Sequence, residues 1–331
     1  KNSFAQVGSS IFGNPRVVLA NQALFGSSIS ISSDGLHLAI GATGHDANPS
    51  SISSGGIFLY NYDSSTSNWL LSATIEGDPG EKIGNFVALS GDGSRVAIRR
   101  KPDTSPNFVE IYDTSSGSRI GSRLECGKKG STVSISHNGE RLAMSCEQTK
   151  INQGSIEIFQ WNDSEWNRLS VIDGATTGIS RQGLFGWATS FSHSGDRLAV
   201  SAPLFSPEGN SRKGIVRVFD FNASSTSWYQ VGGDLIGENK LDKFGRAIDL
   251  SGDGSTLVVG NSQLGTNGAG IVEAFQMTSG LWSPKGSPIE GSEDMDGFGI
   301  GVSVSFDGNL LVASSSSHHK GRGQVRLMQY D

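Results

Sequence analysis

Apolar and polar residues alternate with a period of two along most of this chain, in short runs broken by glycine, aspartate and serine. Ile29 with Ile31, and Val302 with Val304, show the spacing. A helix would place apolar residues every three or four positions, and few stretches of a dozen residues here lack a helix breaker. The pattern predicts short β-strands, and it recurs. An FG-like pair opens an alternating run, a Ser-x-x-Gly turn follows, and an apolar run closes the unit. The copies read FGSSISISSDGLHLAIGA from Phe25, IGNFVALSGDGSRVAIRR from Ile83, GSTVSISHNGERLAMSC from Gly130, FGWATSFSHSGDRLAVSA from Phe185, FGRAIDLSGDGSTLVVGN from Phe244 and FGIGVSVSFDGNLLVASS from Phe298.

Each copy continues alike. A glycine or its equivalent leads into a further alternating run, such as GGIFLYNYD from Gly55, NFVEIYD from Asn107 or GIVEAFQM from Gly270. An aromatic then opens a fourth segment, in which Trp228, Gly232, Leu235 and Gly237 match Trp282, Gly286, Ile289 and Gly291, while Trp69 and Trp166 open shorter forms. Each unit thus holds four strands, A to D. The A–B links are Asp-Gly, Asn-Gly or Gly-Asp turns, which supply the positive φ a tight hairpin needs. Four-stranded antiparallel units repeating every 45 to 60 residues or so are the blades of a β-propeller.

The expected fold is all-β, a six-bladed β-propeller forming one domain over residues 1–331, with blades starting near 25, 83, 129, 185, 244 and 298. The last copy has room for strands A to C only. Phe4, Gly8, Ile11 and Gly13 fit the fourth-strand pattern, so residues 1–24 are expected to supply the outer strand of the last blade. That would close the ring and leave no open edge.

The FG start followed by an apolar strand ending in Gly41-Ala42 resembles the FG-GAP repeats of integrin-α-type propellers. It is closer still to the FG-GAP-like arrays of secreted or surface proteins of algae and bacteria. The resemblance covers essentially the whole chain and implies fold more than function. In the integrin-type family the A–B hairpin often carries a calcium loop of alternating aspartates; here it is shortened to Ser-x-Asp-Gly, so calcium is not expected there.

Composition narrows the classes. The 331 residues are 35% hydrophobic, enough for a sizeable core, and the formal net charge of −6 argues against a nucleic-acid binder. No run of about 18 apolar residues is present, so membrane insertion is not expected. The chain opens on Lys1 with no signal-peptide pattern, so a processed or excised chain is expected. No G-x-S-x-G, H-E-x-x-H, P-loop or sialidase-type Asp box occurs, and a non-catalytic protein is expected.

Strand alternation puts the B–C and D–A loops on one face. The B–C loops are long and the opposite A–B turns short, so the long-loop face is the expected binding surface for a protein or glycan partner. Its charge is divided. Arg99, Arg100, Lys101, Lys128 and Lys129 are the candidate binding residues of a basic patch. Glu238, Asp242, Glu290, Glu293, Asp294 and Asp296 make an acidic part. Arg99 stands where other copies have a small residue, such as Gly41, Ser145, Ser201 or Gly260; it either pairs with an acid or reaches a ligand. The run around Asp294 and Asp296 supplies only part of the six to eight oxygens calcium takes, so no metal or other cofactor is expected, and these two are the candidates if calcium binds. No third ligand for the pair His318-His319 is visible, and zinc is not expected.

Asn162 and Asn222 head N-glycosylation sequons in C–D loops. Cys126 replaces the glycine that ends strand D elsewhere, and Cys146 stands at the position of Ala42 and Ala202. These ends share a face, so a disulfide is expected, against the alternative of two unrelated thiols. With the sequons it points to an extracellular or cell-surface location, or else an organelle lumen. The expected function is a non-catalytic interaction module. A lectin-like propeller, or a hydrolase with dispersed catalytic groups, is the alternative.

Overall fold

The computed structural model describes residues 9–12, 24–45, 54–101, 106–126, 132–146, 154–179, 183–207, 212–261 and 268–330. Among them the chain is built of strands, with one short helix. The first repeat gives β1 (Phe25–Ile31), β2 (His37–Ala42), β3 (Gly56–Asp63) and β4 (Asn68–Glu76), hydrogen-bonded in that order. The second gives β5 (Val87–Leu89), β6 (Arg95–Arg100), β7 (Asn107–Asp113) and β8 (Arg119–Cys126); the third gives β9 (Val133–Ile135), β10 (Arg141–Cys146), β11 (Ser155–Trp161) and β12 (Trp166–Asp173). The fourth repeat holds β13 (Thr189–Phe191), β14 (Arg197–Ala202), β15 (Ile215–Asn222) and β16 (Ser227–Ile236). In the fifth, β17 (Ala247–Leu250), β18 (Thr256–Asn261) and β19 (Ile271–Thr278) are followed by β20 (Leu281–Pro284) and β21 (Ile289–Glu290), which both pair with β19. The last repeat has β22 (Gly301–Val304), β23 (Leu310–Ser315), α1 (His318–Gly321) and β24 (Gln324–Gln329).

Among the described residues the strands form five sheets, not six separate ones. The long β16 reaches β20 through one parallel pair, Gly232 with Leu281, and this joins the fourth and fifth repeats into a nine-stranded sheet. The last repeat shows three strands, β22-β23-β24. The expected closing segment falls on residues 1–24, of which 1–8 and 13–23 lie outside the described residues. Ser9 is described outside any strand, and its N–H donates to Asn68 Oδ1 at 3.0 Å.

The chain divides into two compact units. One comprises residues 1–128, 137–142 and 161–167; the other comprises 129–136, 143–160 and 168–331. In the first, Ala39, Ile57, Leu59, Ile83, Val96 and Ile98 form a core between the faces of adjacent sheets. In the second, Val216, Val218, Phe244, Leu257 and Val259 do the same. The middle strands are buried on both faces, as in β14 and β18, which is why their sequences read as continuous apolar runs rather than alternating ones.

Neighbouring sheets are stitched by a recurring device. Leu89 N–H donates to Ser30 Oγ at 2.9 Å, Leu250 N–H to Ser190 Oγ at 3.1 Å, and Val304 N–H to Asp249 Oδ2 at 2.9 Å. At the other end of the same strands four A–B turns bond the next: Ser33 N–H to Gly91 O, Asp92 N–H to His137 O, His193 N–H to Gly252 O and Asp253 N–H to Phe306 O. Of the FG phenylalanines, Phe185, Phe244 and Phe298 are buried plugs, while Phe25 is half-buried. The glycine after each buried plug takes φ between 86° and 88°, a region closed to most side chains. Small antiparallel sheets thus follow one another as propeller blades do.

Candidate functional site

At the short-turn end the recurring Ser-x-Asp-Gly chemistry is consumed by the fold itself. Asp34, Asp92, Asp253 and Asp307 each accept a bond from the serine two residues before, at 2.5 to 2.6 Å, and from the N–H two residues after, at 2.9 to 3.1 Å. The same serine oxygens accept the N–H that opens strand B, as Ser90 Oγ does from Arg95 at 2.9 Å. Bonds from Ser32 and Ser305 are the main cause of the lowered pKa values of Asp34 and Asp307. The turn is a closed local circuit, with no oxygen set for calcium.

The long-loop end is different. Of the basic patch, Lys128 and Lys129 lie outside the described residues, and Lys101 is exposed. Arg100 does not face solvent. It ends β6 and is buried, with Nη1 2.5 Å from Glu81 Oε2, Nε 2.5 Å from Glu110 Oε2, and Nη2 donating to Tyr112 Oη at 2.8 Å. Burial alone would lower its pKa, but the Tyr112 hydrogen bond and the charges of Glu110 and Glu81 raise it well above the ordinary arginine value. Glu110 also takes Arg119 and Arg123, both at 2.9 Å. The expectation that Arg100 offers itself to a partner is corrected by this geometry. Residues 99 and 100 point to opposite faces of β6, and only Arg99 stays available.

Arg99 is half-buried, with its guanidinium 5.5 Å from the centre of the Phe86 ring, and burial lowers its pKa. No acid pairs with it among the described residues. In the other repeats this position abuts the FG glycine of the next one: a side chain on Gly41 would run into Gly84 O, and one on Gly260 into Gly299 O. In the second repeat the following pair is Lys129-Gly130, which keeps the glycine but not the large apolar residue before it.

The acidic part holds a construction that spacing alone did not reveal. The residue two before the FG-like pair is acidic in three repeats: Glu81, Asp242 and Asp296. Each carboxylate caps its own loop by accepting an N–H from three residues back, Asp78 at 2.9 Å, Asn239 at 2.6 Å and Glu293 at 3.0 Å. Glu81 then meets Arg100, and Asp296 Oδ1 meets His318 Nδ1 at 2.9 Å. Asp242 is buried to 1% exposure, and its Oδ1 has no hydrogen-bond partner. It lines a cavity of about 490 Å³ with Glu238, Glu273, Phe275, Glu290 and apolar walls from Leu235 and Ile271. Burial raises the pKa of both Asp242 and Glu273, and the charge of Glu238 adds to it.

Asp296 is committed to its loop and to His318, and Asp294 is exposed. The third partner of the histidine pair is Glu293. His319 Nδ1 lies 3.0 Å from its Oε1 and His318 Nδ1 3.7 Å from its Oε2, and the three donor groups fall within 4.8 Å of one another. A transition metal could use that set; as it stands both imidazoles lie against the one carboxylate. Asn162 and Asn222 are exposed, each with Oδ1 holding its turn and Nδ2 outside those bonds. Cys146 is buried at the end of β10, no cysteine is free among the described residues, and the Cys126 side chain lies outside them.

Glu110, Tyr112, Asn261 and Glu273 were not foreseen from sequence. Aligning the last residue of each B strand, and the C-strand residues opposite its last turn, would have exposed them.

No family model matches the chain, and no curated protein matches it. Among solved structures it is similar to Kuenenia stuttgartiensis hydrazine synthase, at 13% identity and a TM-score of 0.58, over 92% of this chain and 83% of that one. At that identity the likeness bears on fold alone. With the succession of small antiparallel sheets it supports one assignment. The fold is of the β-propeller type.

Proposed function

We propose that this chain is a non-catalytic binding module whose long-loop face engages a protein or glycan partner. The observation that carries the reading is the contrast between the two ends of the strands. Asp34, Asp92, Asp253 and Asp307 at the short end are satisfied within their own turns, whereas the loop end holds a half-buried arginine with no acid partner among the described residues and a buried carboxylate oxygen without a donor. Unsatisfied groups are costly to keep, and they concentrate where a partner can satisfy them.

In this reading the nine-stranded sheet is two blades touching at one residue pair, which brings the blade count to six. The N-terminal segment completes the last blade along the open edge of β24. A Cys126–Cys146 disulfide and glycans at Asn162 and Asn222 belong to an extracellular or cell-surface protein of FG-GAP-like type. A hydrolase reading would draw on the desolvated carboxylates Asp242 and Glu273. Against it stands the second repeat, where the same positions serve an internal ion-pair network.

The test is capture of partners by the intact chain from material of its own source, with a glycan array run beside it. Arg99→Glu and Lys101→Glu should lower the association rate, and binding should weaken steeply with salt. Binding indifferent to both would remove the basic patch as the contact. Retention on the array without protein capture would favour the lectin-like alternative.

A further inference from the structure

The cavity of the fifth repeat and the ion-pair network of the second are built from the same positions. Asp242 corresponds to Glu81, each two residues before the FG-like pair. Glu273 corresponds to Glu110, since Val259 pairs with Glu273 across β18 and β19 as Ile98 pairs with Glu110 across β6 and β7. Phe275 corresponds to Tyr112, opposite Leu257 and Val96. The last residue of the B strand, Arg100 in the second repeat, is Asn261 in the fifth.

One exchange separates the two sites. In the second repeat a guanidinium lies between Glu81 and Glu110. In the fifth the short Asn261 donates to Glu273 Oε2 at 2.9 Å and stops there. Its own Oδ1 is fully buried and unpartnered, as is Oδ1 of Asp242. Glu273, the partner of Asn261, lines a cavity together with Asp242 and Phe275, with Glu238 and Glu290 as its exposed acids. The charge of Lys213 opposes the rise in the Asp242 pKa that burial causes, and burial outweighs it. The residues that follow Asn261, Ser262 to Asn267, include no lysine or arginine.

We propose that this cavity is a receptor for an organic cation, a guanidinium or ammonium head on an aliphatic stem, which takes the role in the fifth repeat that Arg100 plays in the second. The head meets Asp242 and Glu273, and the stem lies along Leu235 and Ile271. An arginine or lysine side chain of a partner has this chemistry, and so does a free polyamine. The three-donor group at Glu293 is a separate cluster and is not needed. The inference rests on the binding reading above and names the ligand class of one part of that face.

The experiment is titration calorimetry on the full chain with acetyl-Gly-Arg-Gly-amide, the same peptide with neutral citrulline, spermidine, and calcium chloride. The arginine peptide should bind at least tenfold more tightly than the citrulline peptide. Spermidine binding more tightly than either would keep the receptor and make a free polyamine its source. Asn261→Arg should fill the cavity from within, raise Tm and abolish peptide binding. If that variant does not fold, Glu273→Gln should still show a tenfold or greater loss. Equal binding of the citrulline peptide overturns the proposal, as does undiminished binding by folded Asn261→Arg or a response to calcium alone. Silence of both the arginine peptide and spermidine overturns it too, and with the salt effect at Arg99 and Lys101 intact it leaves the broader binding role standing.

Discussion

Arg100 holds its Nε 2.5 Å from Glu110 Oε2, a contact of buried charges between neighbouring strands β6 and β7. Removing Arg100 leaves buried Glu81 without its cation and takes from Glu110 the most buried of its three arginines. Arg100→Asn should cost about 3–5 kcal/mol of stability, because both Glu81 and Glu110 lose the same partner. Chemical denaturation checks it. The variant also copies the fifth-repeat arrangement into the second, so it should acquire a cavity there. A loss below about 1 kcal/mol would mean the network is wetter than the geometry indicates.

Glu273 carries a raised pKa, first through burial and then through the charges of Glu238 and Asp242. A carboxyl whose folded pKa lies above its unfolded value takes up a proton on folding as pH falls between the two. It therefore destabilises the folded state when ionised and is relieved by acid. Glu273→Gln should raise Tm at pH 8. The gain should shrink as pH drops through the raised folded value, and vanish near and below the ordinary glutamate value of about 4.3. The lowered turn aspartates pull the opposite way: their contribution is present above about pH 4 and is lost as pH falls through their depressed values. A Tm deficit for Glu273→Gln at every pH would contradict the cost assigned to this burial.

The turns and plugs were legible in the sequence because each is local: a serine, an aspartate and a glycine within four residues close their own circuit, and a buried phenylalanine announces itself by repetition. Arg100 was not. Reading it as loop charge missed that β6 runs to residue 100, so that alternation turns 99 and 100 to opposite sides. The Asp242 cavity was missed for a related reason. Its parts lie on the D–A loop and β19, and only strand pairing brings them together. The junction of β16 with β20 depends on strand length, which turn signals bound only loosely.

The edge of β24 gives a third expectation. The strand pairs with β23 alone among the described residues, and its Val325 and Leu327 are 69% and 39% exposed. An apolar strand with one row of unpaired backbone groups recruits whatever strand is near. Removing residues 1–13 should lower Tm by more than about 3 °C, the scale of a 1 kcal/mol loss in a chain of this size, and shift elution toward oligomers. An unchanged melting curve with a monomeric profile would mean that the N-terminal segment does not complete the last blade.

The disulfide is the remaining expectation. Cys126 ends β8 with its backbone paired to Asn107, and Cys146 ends β10 with its side chain 6% exposed. Both are the last residue of a strand, and the second-to-third link is the one place where the FG pair is replaced by Lys129-Gly130. A covalent tie there would do what the aromatic plug does elsewhere. Closing a loop of about 20 residues would contribute roughly 3 kcal/mol, chiefly by restricting the unfolded chain. Alkylation of freshly isolated protein under denaturing conditions without reductant, read by intact mass, should leave both cysteines unmodified. With reductant both should react, and Tm should fall. Two alkylated cysteines in the unreduced sample would remove the bridge, and with it the main support for an oxidising compartment.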